Sequence, residues 1–119
     1  MVEKNPFEDL DEDTQKKIQE LQILEQNFHQ LLMQKQTFNF EFNETELAID
    51  ELKKSDDEVF KIIGNQIIVK TSKDKLNQEL VHKKELLELR LKNIEKQEEE
   101  FSKNLEELRD EIMKRISNK

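Results

Sequence analysis

The fold of this 119-residue chain is decided by residues 59–70, which read VFKIIGNQIIVK. Two runs rich in β-branched residues flank Gly64-Asn65, and Gly64 is the only glycine in the chain. A two-residue hairpin turn requires positive φ, which glycine adopts without steric cost and asparagine tolerates. The stretch therefore predicts a β-hairpin at 59–70 with its turn at Gly64-Asn65.

The predicted strands carry apolar side chains on both faces. A two-residue turn would place Ile62 opposite Ile67 and Phe60 opposite Val69. The apolar residues of the hairpin are Val59, Phe60, Ile62, Ile63, Ile67, Ile68 and Val69. An isolated two-stranded hairpin is marginal in water, and its edges are unpaired. We therefore expect these strands to pair with other subunits; folding back onto the chain's own helices is the alternative.

Heptad patterns of apolar residues lie on both sides of the hairpin, with spacings that alternate between three and four. The first seam comprises Leu21, Leu24, Phe28, Leu31, Lys35, Phe38, Phe42, Thr45, Ile49 and Leu52. The second comprises Leu80, Lys84, Leu87, Leu91, Ile94, Glu98, Phe101, Leu105, Leu108 and Ile112. The sequence predicts a mainly α fold and a single domain, 1–119, in which helices 11–54 and 73–117 form an antiparallel coiled coil joined by one β-hairpin.

The two seams fit each other when the chain folds about the hairpin turn, because every layer then pairs an a position with a d position. Phe28 meets Phe101 in this register. Lys35 and Glu98 fall in neighbouring layers of the otherwise apolar seam, which predicts a cross-helix contact between their charges that helps to fix the register. In the alternative, both side chains extend to water.

A second group of apolar residues lies near the two chain ends, which the predicted fold brings together. Its members are Phe7, Leu10, Ile18, Leu21, Ile112, Met113 and Ile116. Adaptable apolar side chains on an otherwise charged, mobile end suit loose binding of varied apolar partners. We therefore predict a client-binding end for the coiled coil; a simple extension of the seam is the alternative.

The composition excludes several classes of function. Charged residues make up 40% of the chain and apolar residues 34%, which is too few for a deep globular core. The net charge of −8 argues against nucleic acid as a partner. We expect neither a signal peptide nor a membrane partner, because no long uncharged run occurs, and we expect a cytoplasmic protein. The absence of cysteine excludes disulfides and thiol chemistry.

Catalytic, cofactor and metal sites are not expected. The acidic start of the first helix has the ligand spacing of a calcium loop, but Thr14 stands where the sharp turn needs glycine. His29 and His82 are single histidines on different helices, without a second ligand at helical spacing. No phosphate-binding glycine loop and no nucleophile–base pair occurs, so an enzyme is not predicted.

The sequence resembles the β-type subunit of prefoldin, most closely the archaeal form, over about residues 15–116. The resemblance rests on Gln34-Lys35-Gln36, Asn43-Glu44-Thr45, Ala48, Glu51-Leu52, Val59-Phe60-Lys61, Ile63-Gly64-Asn65, the run from Leu86 to Arg90, Glu95 and Gln97-Glu98-Glu99. The chain has a single predicted hairpin and in this resembles β-type subunits, since α-type subunits carry two hairpins. Phe60 stands where the family often has tyrosine.

The resemblance implies a hexamer of two α-type and four β-type subunits whose hairpins build a platform. It implies further that the coiled-coil tips hold unfolded client proteins without ATP and pass them to a group II chaperonin. The alternative from a different class is a structural or tethering coiled coil that holds no clients.

Overall fold

The computed structural model describes residues 11–56 and 58–117 of the chain. The element order is α1 (Glu12–Lys54), β1 (Glu58–Ile63), β2 (Ile67–Ser72) and α2 (Lys73–Ser117). Two long helices joined by one antiparallel two-stranded hairpin confirm the predicted fold class. Every residue of both predicted seams is buried or half-buried.

Both helices begin at side chains that accept a hydrogen bond from the first turn. The backbone N–H of Thr14 donates to Asp11 Oδ1 at 2.7 Å, and that of Lys75 donates to Ser72 Oγ at 3.1 Å. These contacts satisfy amides that have no acceptor inside the helix. At the end of α1, the Ser55 hydroxyl donates to the carbonyl oxygen of Leu52 at 2.8 Å. The predicted helix limits, 11–54 and 73–117, therefore agree with the structure to within one residue.

The hairpin forms where the sequence predicts it, but its predicted register is wrong by one residue. Ile63 pairs with Ile67 and Ile62 with Ile68, so residues 64–66 form the loop. Gly64 and Asn65 have φ of 60° and 63°, and the N–H of Gln66 donates to the Ile63 carbonyl at 3.2 Å. The positive φ values match the turn prediction, while Gln66 joins the loop instead of β2. This one extra loop residue changes the cross-strand partner of every residue in β2. Because side chains alternate along a strand, it also places Ile68, instead of Ile67 and Val69, on the face of Phe60 and Ile62.

The described residues divide into two compact units. We call residues 11–34 with 94–117 the terminal unit, and residues 35–93 the hairpin unit. That residues 1–119 fold as one domain stays a prediction.

In the terminal unit, α1 and α2 run antiparallel around a continuous apolar core. The rings of Phe28 and Phe101 lie 6.2 Å apart between centroids with a 43° interplanar angle, which confirms the predicted register at this layer. Leu31, Ile94, Leu105 and Ile112 are each at most 6% exposed. The buried stripe extends to Thr14 in the first turn of α1, where no apolar seam residue was predicted.

In the hairpin unit, the core comprises Thr45, Ile49, Leu52 and Leu87. The Thr45 hydroxyl donates to the Glu41 carbonyl oxygen at 2.7 Å, so this polar seam residue is buried with its hydroxyl satisfied.

Phenylalanines at the edge of this core are covered by cations from α2. The Arg90 guanidinium lies 5.5 Å from the Phe38 ring centroid, and the Lys84 ammonium lies 5.6 Å from that of Phe42. Lys84 thus occupies its seam position by placing its charge over an aromatic face, a favourable cation–π arrangement.

Candidate interaction surfaces

The hairpin presents one face to solvent and the other to its own α2. On the solvent face Phe60, Ile62 and Ile68 are 57%, 66% and 69% exposed. On the other face Val59, Lys61, Val69 and Thr71 are half-buried, and the Lys61 ammonium pairs with Glu79 of α2 at 3.1 Å. Ile63 and Ile67 stand beside the turn on that second face and are 49% and 57% exposed. The fold-back alternative is therefore met on the face that contacts α2, while pairing of the hairpin with other subunits stays a prediction.

Lysine side chains also link neighbouring elements around the base of the hairpin. The Lys73 ammonium donates to the carbonyl oxygens of Lys53 at 3.2 Å and Ser55 at 3.0 Å, which ties the start of α2 to the end of α1. Lys70 pairs with Glu58 across the strands at 2.8 Å. These contacts are exposed, so each contributes modestly to stability. The Lys73 contacts thus join the two helix ends from which the hairpin extends, and the Lys70–Glu58 pair links the two strands.

The residues predicted to bind clients divide by exposure. Met113 and Ile116 are 60% and 40% exposed, whereas Ile112 is 5% exposed and packs within the terminal unit. Ile18 and Leu21 are half-buried. Phe7 and Leu10 lie outside the described residues. Among the described members of this group, Met113 and Ile116 therefore offer the most apolar surface to a partner.

Sequence reasoning missed several exposed apolar residues on the helices. Ile23 and Met33 of the terminal unit are 59% and 55% exposed. In the hairpin unit the group comprises Phe40, Leu47, Val81, Leu86 and Leu89. Met33, Phe40 and Leu47 recur every seven residues away from the seam, so the heptad pattern itself could have identified them.

Ion pairs join the start of α1 to the end of α2 in the terminal unit. The Lys17 ammonium lies 2.9 Å from Glu111, Arg115 contacts both Asp13 and Glu111, and Arg109 lies 3.3 Å from Glu25. The hydrogen bond from Lys17 holds the pKa of the Glu111 carboxyl below its usual value, and the one to Asp13 raises the pKa of Arg115. The predicted contact between Lys35 and Glu98, which belong to different units, stays a prediction.

The depressed pKa of Glu111 gives a testable pH dependence. A carboxyl whose folded pKa is depressed adds stability above its unfolded pKa of about 4.5 and loses that stability as pH falls through the folded pKa. Lys17→Met should return the Glu111 pKa toward 4.5, as measured by NMR titration of the side-chain carboxyl. Lys16→Met removes the same charge one residue away and should change the titration less. Equal shifts in both variants would contradict the assigned cause.

Among residues 11–56 and 58–117, no group of three or more acidic or histidine side chains is placed to hold a metal ion. Over those same residues, neither helix contains a segment apolar enough to span a membrane.

The fold and its open faces define a coiled-coil subunit with a single hairpin. A family model described as prefoldin subunit matches residues 15–119. The chain belongs to the prefoldin family, as a β-type subunit, and this confirms the resemblance seen in the sequence. It is therefore a subunit of a non-enzymatic chaperone and not an enzyme.

Relatives and a solved structure agree with this assignment. The chain is 35% identical to the prefoldin subunit beta of Saccharolobus islandicus, over 98% of this chain and 90% of that protein. It is 34% identical to the Archaeoglobus fulgidus subunit beta, over 84% and 87%. The crystal structure of the prefoldin beta subunit from Thermococcus strain KS-1 matches with a TM-score of 0.80 and 34% identity, covering 89% of this chain and 94% of that one.

Proposed function

We propose that this prefoldin subunit acts as an ATP-independent holdase in a hetero-hexamer with α-type subunits and other β-type copies. In this proposal the complex captures non-native proteins at the terminal units of its coiled coils and passes them to a group II chaperonin in the cytoplasm. Membership of a chaperone family supports the general role. The observation that carries the holding role is the exposure of Met113 and Ile116 on the terminal unit.

Exposed apolar side chains on a charged surface suit weak binding of many partners. Large apolar patches on a protein surface commonly mark interaction sites, and methionine adapts its shape to different contacts. Met113 and Ile116 lie in the last turns of α2, and each would gain apolar burial when an unfolded segment covers it. No ATP-binding loop is needed for such holding, because burial of apolar surface supplies the free energy.

Assembly is proposed to use the solvent face of the hairpin. Phe60, Ile62 and Ile68 form an open apolar face, and a two-stranded sheet leaves an unpaired edge on each strand. Strand edges readily pair with strands of other chains. This arrangement supports association with other prefoldin subunits.

The holding role is tested by removing the exposed apolar groups. Met113→Ser combined with Ile116→Ser, in a complex assembled with α-type subunits, should reduce suppression of client aggregation. Loss of two apolar contacts of roughly 1 kcal/mol each predicts a decrease in client affinity of about tenfold or more. Light scattering of a diluted, denatured client without ATP measures the effect.

The matched control removes an exposed apolar residue outside the terminal unit. Leu89→Ser removes an apolar residue with 58% exposure from the hairpin unit and should leave holding unchanged. Undiminished protection in the terminal double variant would place client binding elsewhere on the chain. A wild-type complex that assembles but never protects a client would indicate a structural or tethering role.

A further inference from the structure

The acidic excess of the chain is concentrated in the terminal unit. Its described residues include thirteen Asp or Glu and seven Lys or Arg, a formal net charge of −6. The described residues of the hairpin unit include eleven of each, a net charge of zero. The negative charge therefore lies mainly on the terminal unit, and the hairpin unit is close to neutral. The terminal unit repels acidic polypeptides and attracts basic ones.

Apolar side chains are exposed within this acidic surface. Ile23, Met33, Met113 and Ile116 are 40–60% exposed in the terminal unit. A partner that covers them must bring its own charged groups close to the carboxylates. Like charges held near each other in a contact are costly, whereas opposite charges favour it. The surface thus fits partners in which apolar and basic side chains occur together.

An open groove beside the seam fits one such basic side chain. Its lining residues are Phe28, Glu95, Glu98, Glu99, Ser102, Lys103 and Glu106, which include four carboxylates and one ammonium. A lysine or arginine stem can pack on an aromatic ring while its charge reaches carboxylates at the rim.

The chain already uses an equivalent contact internally. In the hairpin unit the Phe38 and Phe42 rings are each covered by a cation of α2, at 5.5 and 5.6 Å. A cation from a partner above Phe28 would have the same chemistry, with carboxylates added around it.

We propose that the terminal unit selects non-native polypeptides in which lysine or arginine side chains stand beside apolar ones. This inference rests on the proposed holding function and names the class of client that it favours. The acidic field accelerates encounter with basic segments, and the groove at Phe28 and the exposed apolar groups then retain them. Salt weakens the selection, because exposed charges are screened beyond roughly 8 Å at physiological ionic strength.

The test uses two unfolded model polypeptides of identical apolar sequence, one with lysine and one with glutamate at every charged position. Fluorescence anisotropy measures the Kd of each polypeptide for the assembled complex at 50 and 500 mM NaCl, where the Debye lengths are about 14 and 4 Å. We expect the lysine version to bind about tenfold more tightly at low salt, with the ratio falling toward one at high salt.

Variants that neutralise carboxylates test which unit produces the preference for the lysine polypeptide. Glu95→Gln, Glu99→Gln and Glu106→Gln together should remove most of the preference at low salt. The control variant combines Glu44→Gln, Glu85→Gln and Glu88→Gln, which removes three exposed charges from the hairpin unit. This variant should retain the preference for the lysine polypeptide. An equal loss in both variants would overturn the assignment to the terminal unit.

The outcomes separate this inference from the holding function. Equal affinity for the two polypeptides at low salt overturns the selection for basic clients and leaves the holdase intact. Failure to bind either polypeptide, together with no protection of denatured clients, overturns the proposed function itself.

Discussion

Replacing Ile62 with glutamate and Ile68 with lysine is expected to reduce the full oligomer to smaller species while both helices remain. The two residues are cross-strand partners on the solvent face of the hairpin and are 66% and 69% exposed. In the free chain their replacement buries no charge. In an assembly that covers this face, the same charges would lose their hydration, which is costly.

The choice of opposite charges protects the hairpin itself. A glutamate facing a lysine across two strands is mildly favourable, whereas two like charges would destabilise the pairing. The net charge of the chain is also unchanged. Native mass spectrometry with α-type subunits measures the assembly, and far-UV circular dichroism measures the helices.

The control is Leu47→Glu with Leu89→Lys, two apolar residues of the hairpin unit that are 60% and 58% exposed on the helices. This variant should assemble as the wild type does. An undiminished oligomer mass for the hairpin variant would show that assembly uses a different surface.

Leu87→Ala is expected to lower the free energy of unfolding by about 2–4 kcal/mol. Leu87 is 3% exposed in the core of the hairpin unit, so truncation leaves a cavity that neighbouring side chains fill only in part. Urea unfolding at a fixed protein concentration measures the change, because association also stabilises the folded chain.

Leu89→Ala makes the same chemical change two residues away at 58% exposure. Its expected cost is within about 0.5 kcal/mol, since surface substitutions remove little buried area. Similar losses for the two variants would contradict the burial pattern and the seam that the heptad spacing predicts.

The sequence by itself determined the fold class, the helix limits and the seams. Heptad spacing is local information, because residues three and four apart share a helix face whatever the remainder of the chain does. The same holds for the turn, where Gly64 and Asn65 adopt the positive φ that their residue types permit. The pairing of Phe28 with Phe101 followed from counting along two seams.

The client-binding group was only partly determined by sequence. Hydrophobicity placed Ile112 and Met113 in the same group, yet the first is 5% and the second 60% exposed. The two are adjacent in sequence, so about 100° of helical rotation separates them. Ile112 belongs to the seam, and which flanking residues remain open depends on how the partner helix covers the seam.

The tertiary structure alone decided the register and the two faces of the hairpin. The geometry of the connection between the two strands decides whether Gln66 belongs to the loop or to β2. The residue types on both sides of the turn are similar, so they give no local signal for either register. The Lys61–Glu79 contact then determines which face meets α2 and leaves Phe60, Ile62 and Ile68 open. Composition reveals that the hairpin is apolar, but only contacts between distant parts of the chain select the face that stays available to a partner.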